Sequence, residues 1–244
     1  MEPTSLADWL MHNGAAIVRW RTATELRTDT SPADLPALER ELLATHAVQG
    51  ALGQLTVGDL ASRLENLDPA SLRRLGNLVH GGKATCLENV LGRLGEYGLR
   101  AGMPELDQRA LPLMRIFRWH PDRRSDVIYG NAWENLVKSV FAWGLLRLGY
   151  APDEPMAAFL HSHLRTCHKV ARDRVYDIYA GSDELAGLPK AWVGKPIIKQ
   201  EVMRHYWLPY IHDLYMFGHW PPSLLDGDSA QMIDDLLAYI MDPR

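Results

Sequence analysis

Apolar residues recur every three or four positions along most of this chain, and the pattern is densest between Asn131 and Gly149. There Leu136, Val137, Val140, Phe141, Ala142, Trp143, Leu145, Leu146 and Leu148 cover so much of a helical circumference that the segment predicts a mostly buried helix. Amphipathic segments precede it. Ser5 caps a helix over Leu6–His12 that Asn13-Gly14 ends. Ala15–Leu26 turns Ile17, Val18, Trp20 and Ala23 to one side, and Leu35–Thr45 follows Ser31-Pro32 and Asp34. Further helices are predicted over Val57–Leu67, Pro69–Val79, Leu106–Trp119 and Met156–Ile178, then from Gln200 to Pro209, after Pro209, and from Asp228 to about Met241. No segment alternates apolar and polar residues for the length of a strand, so the fold class is all-α.

The dense helix has an echo. Thr85-Cys86-Leu87-Glu88-Asn89-Val90-Leu91 aligns with Asn131-Ala132-Trp133-Glu134-Asn135-Leu136-Val137, and ten residues past each Glu stands a glycine, Gly98 or Gly144, followed by Leu. The offset of about 46 residues suits stacked helix pairs. Between Ala180 and Lys199 three glycines and two prolines predict a long irregular loop, read as a mobile cover over a cavity. No composition break marks a linker, so residues 1–244 read as a single domain.

Composition narrows the function classes. A net charge of −4 opposes a general phosphate-binding surface, so nucleic acid is not an expected partner. The start of the chain lacks the basic and apolar regions of a secretory signal, and Glu134, Lys138 and Arg147 make the dense helix unfit to face lipid; the expectation is a cytoplasmic protein without a transmembrane segment. Cys86 and Cys167 read as reduced thiols.

Trp9-Leu10 with Ile17-Val18-Arg19-Trp20-Arg21, the two Glu-Asn helices, and Leu208-Pro209-Tyr210-Ile211-His212-Asp213-Leu214 together resemble small bacterial proteins of the prenyltransferase and squalene-cyclase (terpenoid cyclase-like) superfamily. The resemblance implies an α/α toroid, two rings of helices around an apolar cavity that in the enzymes accepts isoprenoid chains. The Asp-x-Asp-Asp acid of the cyclases is absent, its nearest string being Gln231-Met232-Ile233-Asp234-Asp235, and nothing in the order of residues matches the Asp, Cys and His zinc set of the protein prenyltransferases. The ring is expected to be incomplete, with a homodimer covering its open faces.

On that reading Glu134, Glu88 and His212 are the acid and base candidates, and Trp133, Tyr176, Trp192, Tyr206, Trp207 and Lys190 the ligand-binding ones, for a small apolar ligand; no cofactor is assigned. A plainer reading stands beside each. Thr85-x-x-Glu88 and Asn131-x-x-Glu134 have capping-box spacing, Glu134 and Lys138 can pair one turn apart, and Asp213 can support a helix start. His163 and Cys167 share one side of a helix while His161 and His168 lie on another, and without a further Cys-x-x-Cys no metal site is expected. A non-catalytic helical scaffold for a protein partner is the alternative function, and a carbohydrate-binding toroid a weaker one.

Overall fold

The computed structural model describes residues 5–55, 78–118, 130–185 and 196–243, excluding the side chains of 130–133 and 184. Within them the chain is helical; the one pairing of extended backbone is an isolated antiparallel bridge between Tyr179 and Ile198. That bridge, with Ala180 N–H donating to Ile197 O and Lys199 N–H to Ile178 O, ties together the two ends of the predicted long loop. The interior of that loop, 186–195, lies outside the described residues, as do the predicted helix at 57–67 and most of the one at 69–79. No helix of the described residues is long and apolar enough to cross a membrane.

The chain forms two compact units, residues 1–121 with 144–151, and residues 122–143 with 152–244. The first contains α1 (Leu6–Asn13), α2 (Ala16–Arg21), α3 (Leu35–Leu43), α4 (His46–Gln54), α5 (Leu87–Glu96) and α6 (Pro104–Ala110). Beyond α2 the helix widens into a π turn over Thr22–Leu26, where Arg27 N–H reaches Thr22 O and the Thr24 hydroxyl donates to Trp20 O. Pro112 has no N–H for an α-helical ladder, and after α6 the chain tightens into a 3₁₀ helix over Leu111–Arg118. Helix α4 has no sequence-predicted counterpart, because Gly50 and Gly53 interrupt its pattern; Thr45 Oγ1 caps it.

The dense helix is α7 (Gly130–Arg147), whose residues to Trp143 belong to the second unit and whose end from Gly144 belongs to the first. Helices α5 and α7 end alike. Leu99 N–H returns to Leu94 O past Gly98 (φ +82°), and Tyr150 N–H returns to Leu145 O past Gly149 (φ +82°). These left-handed glycines close both helices by the same turn, 51 residues apart (149 − 98), although the aligned sequence segments are offset by about 46. The repeat-related pair Gly98 and Gly144 therefore does two different things. Gly98 ends α5 beneath Trp20, whose indole N–H donates to Gly98 O at 2.8 Å, whereas Gly144 lies inside α7 and admits Leu91.

The second unit adds α8 (Glu154–Arg172), α9 (Ser182–Leu185), α10 (Gln200–His205), α11 (Ile211–Gly218) and α12 (Gly227–Ile240). Asp153 caps α8 through Met156 N–H, and Asp226 caps α12 through Ser229 N–H. Helix α8 packs along α12 and buries Leu160, His163, Leu164, Cys167 and Val170, a stripe three and four residues apart. Five non-helical residues, 206–210, separate α10 from α11, and within them Trp207 reaches Asp213 in the first turn of α11.

Candidate metal centre

A polar cluster sits in the interior of the second unit. Ser139 of α7, His163 and Cys167 of α8, and Asp213 of α11 are each at most 2% exposed. His163 Nε2 lies 2.8 Å from Asp213 Oδ1 and 3.0 Å from Ser139 Oγ. A carboxylate only accepts, so Nε2 donates its proton to Asp213. Nδ1 is buried and has no hydrogen-bond partner among the described residues. A buried polar atom left in that state costs free energy.

Asp213 is the third residue of α11, where its Oδ2 accepts from Tyr210 N–H at 2.8 Å and from Trp207 Nε1–H at 2.9 Å. The sequence-predicted helix-start role is therefore formed. Burial drives this carboxyl group upward, but the His163 hydrogen bond and charge, then Trp207 and Tyr210, outweigh it and hold the group below the ordinary aspartate range. Burial, with the Asp213 charge adding, pushes the Cys167 thiol far up. Cys167 is thus a protonated thiol, and a cation beside it is what would convert it to a thiolate.

Serine, histidine and aspartate in contact have the composition of a hydrolytic triad, but not its wiring. A triad places serine and aspartate on opposite ring nitrogens; here both meet Nε2, and the serine is buried. What the cluster does offer is a ligand set. His163, Cys167 and Asp213 each present a donor atom, and the three atoms lie within 4.8 Å of one another. The sequence showed the His163/Cys167 pair one turn apart on α8; the missing donor was Asp213, 50 residues on and on another helix. No local spacing announces it. The only signal was Asp213 itself, an acid at a helix start in an otherwise apolar stretch.

The expected acids lie elsewhere, and neither forms the capping box. Helix α5 is capped at Cys86, one residue past Thr85, and Glu88 takes a hydrogen bond with His80 Nδ1 at 2.6 Å. Helix α7 begins at Gly130, so Glu134 falls beyond the capping position and pairs with Lys138 Nζ at 2.6 Å, the predicted one-turn ion pair, with Lys138 only 3% exposed. The two glutamates belong to different units. His212 is buried, edge-on to Trp143 at 5.4 Å.

Among the expected ligand-binding aromatics, Tyr176 donates to Asp242 at 3.0 Å and stacks on Tyr239. Tyr206 donates to Asp173, with Lys169 over its ring. Trp207 donates its indole N–H to Asp213 and forms a T-shaped ring pair with His163. The Trp133 side chain, Trp192 and Lys190 lie outside the described residues. His161 and His168 face α12, meeting Ser229 at 3.3 Å and Asp235 at 2.9 Å, so the three histidines of α8 divide between two neighbours as helical spacing requires. Comparison of the chain with protein family models, with curated proteins and with solved structures gave no match.

Proposed function

We propose that this chain is a helical domain whose second unit binds a zinc-class divalent cation through His163, Cys167 and Asp213, the ion fastening α8 to α11. The observation that carries this reading is the convergence of three buried donors of different chemistry within 4.8 Å. An imidazole, a thiol and a carboxylate suit zinc and its neighbours; magnesium and calcium take oxygen ligands and gain nothing from the thiol. Because all three residues are buried, the ion's work is structural: it replaces the His163 to Asp213 hydrogen bond with bonds to a common centre and adds its binding energy to folding.

The test is direct. Purified protein dialysed against zinc should retain about one ion per chain, the content of a single site with three protein donors. Cobalt in place of zinc should give a thiolate-to-metal absorption that Cys167→Ala abolishes. Retention by Cys167→Ala and Asp213→Asn at the level of the unmutated chain would place the metal elsewhere and end this reading.

A further inference from the structure

Asp213 divides its two oxygens between neighbours. Oδ1 faces His163, while Oδ2 already accepts two N–H donors, the Trp207 indole at 2.9 Å and the Tyr210 amide at 2.8 Å. A carboxylate oxygen has two lone-pair sites, so Oδ2 is saturated and only Oδ1 remains for a cation. Trp207 also meets the His163 ring in a T-shaped pair, with centroids 5.4 Å apart and planes at 71°. One side chain thus borders two of the three donors.

We infer that Trp207 determines which ion the site accepts: by occupying Oδ2 it restricts Asp213 to one-oxygen coordination, favouring a four-coordinate zinc-class ion over a larger ion that seeks many oxygens. This rests on the metal-binding reading above. Zinc in structural sites is satisfied by four donors, whereas calcium gathers six to eight oxygens and gains from a carboxylate that chelates with both. Donors behind a ligand fix its orientation, and losing one typically weakens metal binding by about 10- to 100-fold. Trp207 is a positioning residue here, acting on the ion through Asp213.

Trp207→Phe keeps a ring against His163 and removes the N–H. Cobalt is the probe, since four-coordinate cobalt absorbs visible light far more strongly than cobalt with five or six ligands. The unmutated chain should show intense visible bands with a thiolate charge-transfer band. Trp207→Phe should keep the charge-transfer band, lose most of the visible intensity, and bind zinc about 10- to 100-fold more weakly, with calcium now a better competitor. Should this variant not fold, the unmutated chain still decides: in a ¹⁵N-tryptophan sample the indole N–H held by Asp213 must shift on adding zinc. Identical spectra and zinc affinity in Trp207→Phe, or an indole signal indifferent to bound zinc, overturn the role of Trp207 alone. Absence of the charge-transfer band from the unmutated chain removes the metal reading and this inference together.

Discussion

At Asp213 one carboxylate serves a helix start through Oδ2 and a buried histidine through Oδ1, which explains how an ionised acid is kept in an apolar interior. Asp213→Asn retains the shape but can present its amide nitrogen to only one of those sets of donors, leaving a buried donor opposite a donor. The expected loss is about 1–3 kcal/mol, the penalty of an unsatisfied buried group, read from the urea midpoint of the metal-free chain. The role of Asp213 at the helix start was legible in the sequence. Its contact with His163 was not, since a helix start says nothing of which distant side chain meets the second oxygen.

At the scale of elements, glycines of similar sequence context separate by what surrounds them. A Cβ at Gly144 would lie 2.5 Å from Leu91 Cδ1 and 2.8 Å from Leu91 Cβ, so Gly144→Ala should overpack α7 against α5 and cost about 1–3 kcal/mol. Gly50 lies within α4 with nothing near its Cβ direction, and Gly50→Ala should instead stabilise by up to about 1 kcal/mol. Thermal unfolding of the two variants beside the unmutated chain checks both signs.

Helix α12 gives the pH counterpart. Asp226 is held below its ordinary value first by the Ser229 backbone N–H, then by the Ser229 side chain; Asp235 is held down first by Gln231, then by His168. Lowered carboxylates contribute stability that is present above the unfolded value near about 4 and is lost as pH falls through the lower folded values. Amide protection in α12, measured against the intrinsic exchange rate at each pH, should therefore fall on acidification below about pH 4, and Asp226→Asn, an equally good cap without a charge, should remove the cap's share of that dependence. A protection profile of α12 that stays flat under acid would contradict the assignment.

For the molecule as a whole, the central consequence of the metal reading is linkage. Zinc at 100 times its dissociation constant should stabilise the folded second unit by about 2.7 kcal/mol, seen as a raised unfolding temperature that a chelator reverses. Hydrogen exchange should place the added protection in α8, α11 and the Tyr206–Tyr210 segment. Protection spread evenly, or confined to helices that carry none of the three donors, would speak against an ion at this cluster.

The sequence by itself determined most of the helices, because periodicity and caps are local: α7, α8 and α12 follow their apolar stripes and α8 begins at Asp153, whereas α4 was missed and the cap of α12 is Asp226 rather than the expected Asp228. It also determined the Glu134–Lys138 pair and the sidedness of His163 with Cys167, since both are consequences of helical spacing. It could not determine that Glu88 turns to His80 rather than capping, nor that the glycines of the two aligned segments differ, because one residue of shift in a helix boundary moves a side chain to another face. Nor could it place Asp213 against His163 and Cys167. Their meeting depends on α10 stopping at His205, on the non-helical residues 206–210, and on the first turn of α11 bringing Asp213 to His163, and those are decided only when apolar faces from distant segments are buried together.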